Sequence, residues 1–227
     1  MKNEVVDRQT WLAAREALLA KEKELTRLRD EVTRARRAMP WQAVTTEYVF
    51  DTPNGQATLA DLFEDKSQLI TYHFMYGPDW QEGCKSCSFW ADQYDAINQH
   101  IGARDVAMVC VSRAPLEVFT PFKQRMGWRF RWVSAAENTF NMDYHVSFPG
   151  QQTGTYNYRE TSVTEELPGL SVFYKADDGS LYHTYSAYSR GLVALYATYQ
   201  WLDLVPQGRD EEYLDYPLAW VLLHDQY

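Results

Sequence analysis

The chain has 227 residues, 45% of them hydrophobic, and a formal net charge of -9. That length can bury a full core as one elaborated domain, and the acidic balance argues against nucleic acid or anionic membrane surfaces as partners, since both select clustered positive charge. No apolar run approaches the roughly 20 residues that span a bilayer, Met1-Lys2-Asn3-Glu4-Val5-Val6-Asp7 lacks the apolar stretch of a secretory signal, and three cysteines are too few for a disulfide framework, so a cytoplasmic protein is expected.

A charged helix is expected from Thr10 to Met39, with Asp7 or Thr10 as N-cap and Pro40 as its stop. Trp11, Leu18, Leu25 and Val32 recur every seven residues, but Ala14, Lys21, Leu28 and Ala35 between them are mixed, so the pattern fits a helix that packs on a domain or a second subunit better than a long coiled coil. This segment, 1-40, forms an N-terminal extension and is the basis for expecting a homodimer. An α/β domain follows over 41-205, and 206-227 is an acidic, aromatic tail.

In the domain, Glu47 to Asp51 and Gln56 to Leu59 flank a Pro53-Asn54-Gly55 turn, and a short helix covers Leu59 to Phe63. Gln68 to Tyr76 is nearly continuously apolar and reads as a central strand; Gly77-Pro78-Asp79-Trp80 breaks it. Cys84 to His100 has helical spacing, Val106 to Val111 is a second buried strand, and Leu116 to Met126 is a helix ending at Gly127. Trp128 to Ser134 is a third strand and Asn138 to Asn157 an irregular insertion. Leu170 to Lys175 and Leu181 to Ser186 form a hairpin across Asp177-Asp178-Gly179, and Gly191 to Leu204 a last helix.

The chemistry is carried by Cys84-Lys85-Ser86-Cys87 at a helix start. There the free N-H groups and the helix dipole stabilise a thiolate, so Cys84 is the expected nucleophile and Cys87, one turn further in, the resolving thiol. Lys85 beside the nucleophile is expected to favour the thiolate further and to make the couple more oxidising than thioredoxin's roughly -270 mV. His73, on the strand leading into the cysteine loop, is a candidate to move protons for Cys87. Trp80 and Ser171, at the start of the hairpin, are further supporting candidates. Cys110 reads as a small core residue.

No cofactor is called for, and without a second cysteine pair or a close histidine pair the spacing is poor for zinc. Two alternatives stay open. In one, both thiolates and His145 or His183 hold copper or zinc; in the other, Trp80, Trp90, Trp128 and Trp132 line a small-molecule pocket above a redox pair.

The strand, Cys-x-x-Cys helix, hairpin and last helix resemble the thioredoxin fold, and the start at Tyr48 to Phe63 resembles its peroxiredoxin-like branch. Tyr72-His73-Phe74-Met75, Gly83 to Ser88 with Trp90 and Asp92, Met126-Gly127-Trp128, Phe140 to Phe148, and His183 to Ser186 with Arg190-Gly191 are similar to a bacterial family of unknown function labelled predicted dithiol-disulfide oxidoreductase. The resemblance runs through nearly the whole chain. It implies a thioredoxin-like three-layer α/β/α fold around a mixed sheet, and an enzyme exchanging thiols with a disulfide-containing protein or small molecule at the expense of an unnamed electron donor. Pro78 lies six residues before Cys84, with Glu82 in the approach, which argues against peroxidase activity; Pro168 precedes the hairpin strand a little early for a substrate-facing proline, so docking is expected to differ.

Overall fold

The computed structural model describes residues 3-227; Met1 and Lys2, which begin both the 1-40 extension and the stretch read for a secretory signal, lie outside the described residues. The chain divides into two compact units, 1-40 and 41-227. The first is the helix α1 (Arg8–Arg37). Of the two expected N-caps it uses Asp7, whose carboxylate accepts the Thr10 N-H at 2.8 Å, and Arg34, Arg36 and Arg37 in the last turn complement the helix dipole.

The second unit is built on β1 (Gln42–Ala43), β2 (Val49–Thr52), β3 (Gly55–Thr58), β4 (Gln68–His73), α2 (Lys85–Ala91), α3 (Tyr94–Gly102), β5 (Val106–Ser112), α4 (Leu116–Arg125), β6 (Arg131–Ser134), α5 (Phe140–Asp143), β7 (Thr153–Tyr156), β8 (Arg159–Ser162), β9 (Gly169–Lys175), β10 (Leu181–Tyr188) and α6 (Ala197–Leu202). Eight strands form one mixed sheet in the order β1-β10-β9-β4-β5-β6-β2-β3, and β7 and β8 pair separately. The apolar runs read as buried strands, β4 and β5, lie side by side and parallel at its centre, with β9 antiparallel on the other side of β4. A β-α-β unit beside a hairpin and a closing helix, in the order β5-β4-β9-β10, makes the fold thioredoxin-like.

The layers are unequal. Successive right-handed crossovers from β4 to β5 to β6 step in one direction and put α2, α3 and α4 on the same face. There Tyr72, Trp90, Tyr94, Phe119, Trp132 and Tyr199 form the larger core. The opposite face is covered more thinly, by a 3-10 turn at Asp61–Phe63 and by α5. Alternation along β4 sorts its side chains between the two, Tyr72 and Phe74 to the first and Leu69 and His73 to the second. In β10 the register shifts between His183 and Tyr185, making Thr184 a bulged residue.

Four expected elements differ. The helix expected over Cys84 to His100 is split after Ala91, where the Asp92 carboxylate turns to accept Trp128 Nε1 at 2.8 Å and His224 Nδ1 at 2.7 Å. The strand expected from Trp128 begins at Arg131, because Asp95 captures the Arg129 N-H. The insertion is ordered as α5 and the β7-β8 hairpin. The last helix is a 3-10 segment (Ser189–Leu195) followed by α6; the Leu195 carbonyl is taken by Trp90 Nε1 at 3.1 Å and Gln93 Nε2 at 2.9 Å. The tail contributes buried Val221 and Leu223 and is fastened through Glu211 Oε1, which accepts from Tyr199, Trp220 and the Leu218 N-H. Among the described residues no helix is long and apolar enough to cross a membrane.

Candidate active site

Beyond β4 the chain must reverse tightly to begin α2, and glycine permits it. A Cβ on Gly83 would lie 2.7 Å from Phe74 and 2.8 Å from Phe122. The next residue, Cys84, is the N-cap of α2. Its N-H donates to the Met75 carbonyl at 3.1 Å, and the Met75 N-H donates to Cys87 Sγ at 3.4 Å, so one residue of the strand end holds both cysteines. Cys84 is partly exposed and Cys87 buried; all three cysteines are thiols.

This placement separates the two thiols electrostatically. A hydrogen bond from the Cys87 thiol, and then the N-H groups of Cys87 and Ser86, pull Cys84 down against burial to about 7. Burial, followed by the neighbouring Cys84, pushes Cys87 well above the ordinary thiol range. The pair therefore holds one proton on the inner sulfur and leaves the outer one as a ready nucleophile.

Three tyrosines that the sequence reading did not single out surround the pair. Tyr72 is locked edge-on to Trp90 at 4.1 Å between centroids. Its buried hydroxyl has no hydrogen-bond partner among the described residues; burial first, and then the charge of the neighbouring Cys87, push it well above the usual tyrosine range. Burial, and after it the charges of the two cysteines, raise Tyr196. Tyr156, on β7, is raised by burial and by Cys87 to a lesser degree; its hydroxyl donates to the Pro168 carbonyl at 2.8 Å and accepts the Ser189 N-H at 3.0 Å. Tyr72 was legible from the strand's period of two; Tyr156 ends a four-residue strand too short to show a period, and Tyr196 caps α6 after a 3-10 segment.

The backbone leading into β9, beside the cysteines, is already paired. Leu167 N-H donates to Val146 O and Phe148 N-H to Glu165 O, both at 2.8 Å. Beneath it Glu166 takes Arg113 Nε at 2.7 Å and the Ser147 hydroxyl at 2.5 Å; burial outweighs both and raises this carboxyl to about 7.

A family model described as "Bacterial protein of unknown function (DUF899)" matches residues 1-227. The chain belongs to that family. No curated protein matches this DUF899 chain. Among solved structures it is similar to peroxidoxin BcpB from Mycobacterium tuberculosis, at 12% identity and a TM-score of 0.48 over 70% of this chain and 94% of that one. It is also similar to peroxiredoxin Q from Xanthomonas campestris, at 14% identity and a TM-score of 0.47 over 69% and 96%, and to a hypothetical protein from Sinorhizobium meliloti, at 14% and 0.36 over 64% and 70%. The strand order, and not these likenesses, makes the fold thioredoxin-like.

Of the residues singled out in the sequence, Cys84 and Cys87 come together and Trp80 packs at the edge of their core, against Gly77. Lys85 is exposed and does not figure among the groups that lower Cys84. His73 and Ser171 lie on the other face of the sheet: His73 Nδ1 meets Asn141 Oδ1 at 2.9 Å and Nε2 meets Ser171 Oγ at 3.0 Å, so neither ring nitrogen serves Cys87. His183 lies on that face too, edge-on to Tyr144 and tilted against Phe173, and His145 beside it at the rim of a cavity. The thiolates and either histidine thus do not converge on a metal, and no group of three or more histidines, cysteines or carboxylates does so among the described residues. Trp90, Trp128 and Trp132 are core residues rather than a pocket wall.

Proposed function

We propose that the chain is a cytoplasmic thiol-disulfide oxidoreductase whose substrate is a small-molecule disulfide. The observation that carries this is the division of one proton between Cys84 and Cys87 at the start of α2. Cys84 thiolate attacks one sulfur of the substrate disulfide, forming a mixed disulfide and releasing the first substrate thiolate, which takes a proton from solvent. Cys87 gives up its proton and attacks Cys84 Sγ, releasing the second substrate thiol and leaving a Cys84-Cys87 disulfide. The substrate gains two electrons, the protein loses two, and a separate dithiol donor restores it. A small substrate is favoured because the backbone edge beside the cysteines is closed by the segment 146-152, so an extended peptide finds no strand to pair with.

Equilibration in glutathione buffers, with thiol trapping and mass spectrometry, is expected to give one reversible two-electron transition. It is lost in Cys84→Ser and in Cys87→Ser. Thiols that never pair overturn the reading, and faster turnover of insulin disulfides than of cystine or glutathione disulfide overturns its substrate class.

A further inference from the structure

On the opposite face of the sheet from the cysteines a cavity of about 480 Å³ lies between β1, the end of α5, β10 and the β7-β8 turn. Its lining contains the carboxylate of Asp143 and no lysine or arginine. Asp143 Oδ2 accepts the hydroxyls of Tyr48 at 2.9 Å and Thr139 at 2.6 Å, while Oδ1 has no partner among the described residues. The rings of Tyr48, Tyr144 and Tyr188, all largely buried, form the walls.

A chain of polar side chains ends at this cavity. His183 Nε2 lies 3.1 Å from the Tyr185 carbonyl and 2.7 Å from Ser186 Oγ; a carbonyl only accepts, so Nε2 carries the proton. Ser186, Ser171 and His73 then follow at 2.9 and 3.0 Å, each donating to the next, and His73 Nδ1-H ends on Asn141 Oδ1. The Thr184 bulge makes the link, since residues three apart in a regular strand face opposite ways. With burial holding His183 neutral, its Nδ1 is an acceptor with no partner among the described residues.

The backbone around the opening is strained. His145, Asn157 and Tyr158 all have left-handed φ, at 54°, 50° and 66°. Asn157-Tyr158 is a two-residue hairpin turn of the kind that usually carries Asn-Gly. A tyrosine in the glycine position costs stability, and such costs persist where a function uses them. Here the Tyr158 hydroxyl reaches across to the Ser186 carbonyl at 2.8 Å, laying the side chain over the cavity.

We infer that this cavity is a binding site for a small organic ammonium ion, held by Asp143 Oδ1 and His183 Nδ1 as acceptors and by the tyrosine rings around its charge. The acceptors, the single negative charge and the aromatic walls each select a cation bearing N-H groups, and Tyr158 acts as a strap over it.

The test is calorimetric titration of the full chain with phenethylammonium, its neutral isostere 2-phenylethanol and the anion phenylacetate. The ammonium is expected to saturate one site at least about tenfold more tightly than the alcohol, with no binding of the anion. Asp143→Asn is expected to abolish that preference, and Cys84→Ser to leave it unchanged. Tyr158→Gly relieves the left-handed strain, so it is expected to unfold at no lower temperature while weakening the ammonium about tenfold. No saturation by phenethylammonium, equal binding of the alcohol, or binding indifferent to both Asp143→Asn and Tyr158→Gly overturns the inference.

Discussion

Replacing Cys87 by alanine removes the largest single influence that lowers Cys84, the hydrogen bond from the inner thiol. At pH 7 a Cys84 titrating at about 7 is half thiolate, whereas one at the ordinary 9.0 is about 1% thiolate, a loss of about 50-fold in reactive species. A more basic thiolate is also a better nucleophile, with a Brønsted slope of about 0.4 to 0.5, which returns about eightfold. The net slowing is therefore about sixfold at pH 7, as a ceiling, since the N-H groups of Ser86 and Cys87 stay in place in the variant. Above about pH 8 the order inverts and the variant reacts faster. Alkylation by iodoacetamide across this pH range, read at Cys84 by mass spectrometry, gives both midpoint and crossover, and buried Cys110 reports any opening of the fold. An unchanged or lowered midpoint in Cys87→Ala refutes the shared-proton account.

Tyr72→Phe removes a hydroxyl without a hydrogen-bond partner among the described residues, so stability is expected to change by less than about 1 kcal/mol. Resolution by Cys87 slows, and a glutathione adduct on Cys84 accumulates in rapid-quench samples; an adduct lifetime equal to wild type rules out the role. Gly83→Ala forces a Cβ to within 2.7 Å of Phe74, and urea unfolding is expected to show a loss of about 1-3 kcal/mol. Burial holds His73 neutral and lowers it to about 4, below the 6.5 of the unfolded chain. The unfolded state thus takes up its proton first as pH falls, and stability is lost between pH 6.5 and about 4, by up to about 3 kcal/mol. His73→Gln removes that slope. Glu166, raised to about 7 from 4.5, has the reverse sign, losing stability as pH rises through that interval; unfolding of Glu166→Gln across pH 4.5-7 is expected to lack this loss.

The strands at the centre of the sheet were legible because continuous apolar runs such as Leu69 to Phe74 and Val106 to Val111 announce burial on both faces. The hairpin was legible from its Asp177-Asp178-Gly179 turn. Where tertiary hydrogen bonds override local pattern, the reading failed. The spacing of Phe89, Trp90, Tyr94 and Ile97 continues through Asp92, yet Trp128 and His224 draw that carboxylate away and end the helix. Nothing local to Leu195 reveals that distant side chains will occupy its carbonyl. At the site, the cysteines were named by their spacing, while His73 was assigned to the wrong face. Counting alternate positions from Tyr72 would have separated the two, since Tyr72 faces the helices and its neighbour cannot.

The break after Ala91 leaves α2 only seven residues long, too short to gather much of a macrodipole. The reactivity of Cys84 then depends on a few directed hydrogen bonds at a partly buried sulfur, and mobile ions reach such bonds poorly. Its alkylation rate is accordingly expected to be nearly indifferent to ionic strength between about 0.01 and 1 M. A thiol tuned in this way keeps its set point whatever the salt content around it, and only a change in the backbone of the Cys84 turn, or in the protonation of Cys87, would retune it.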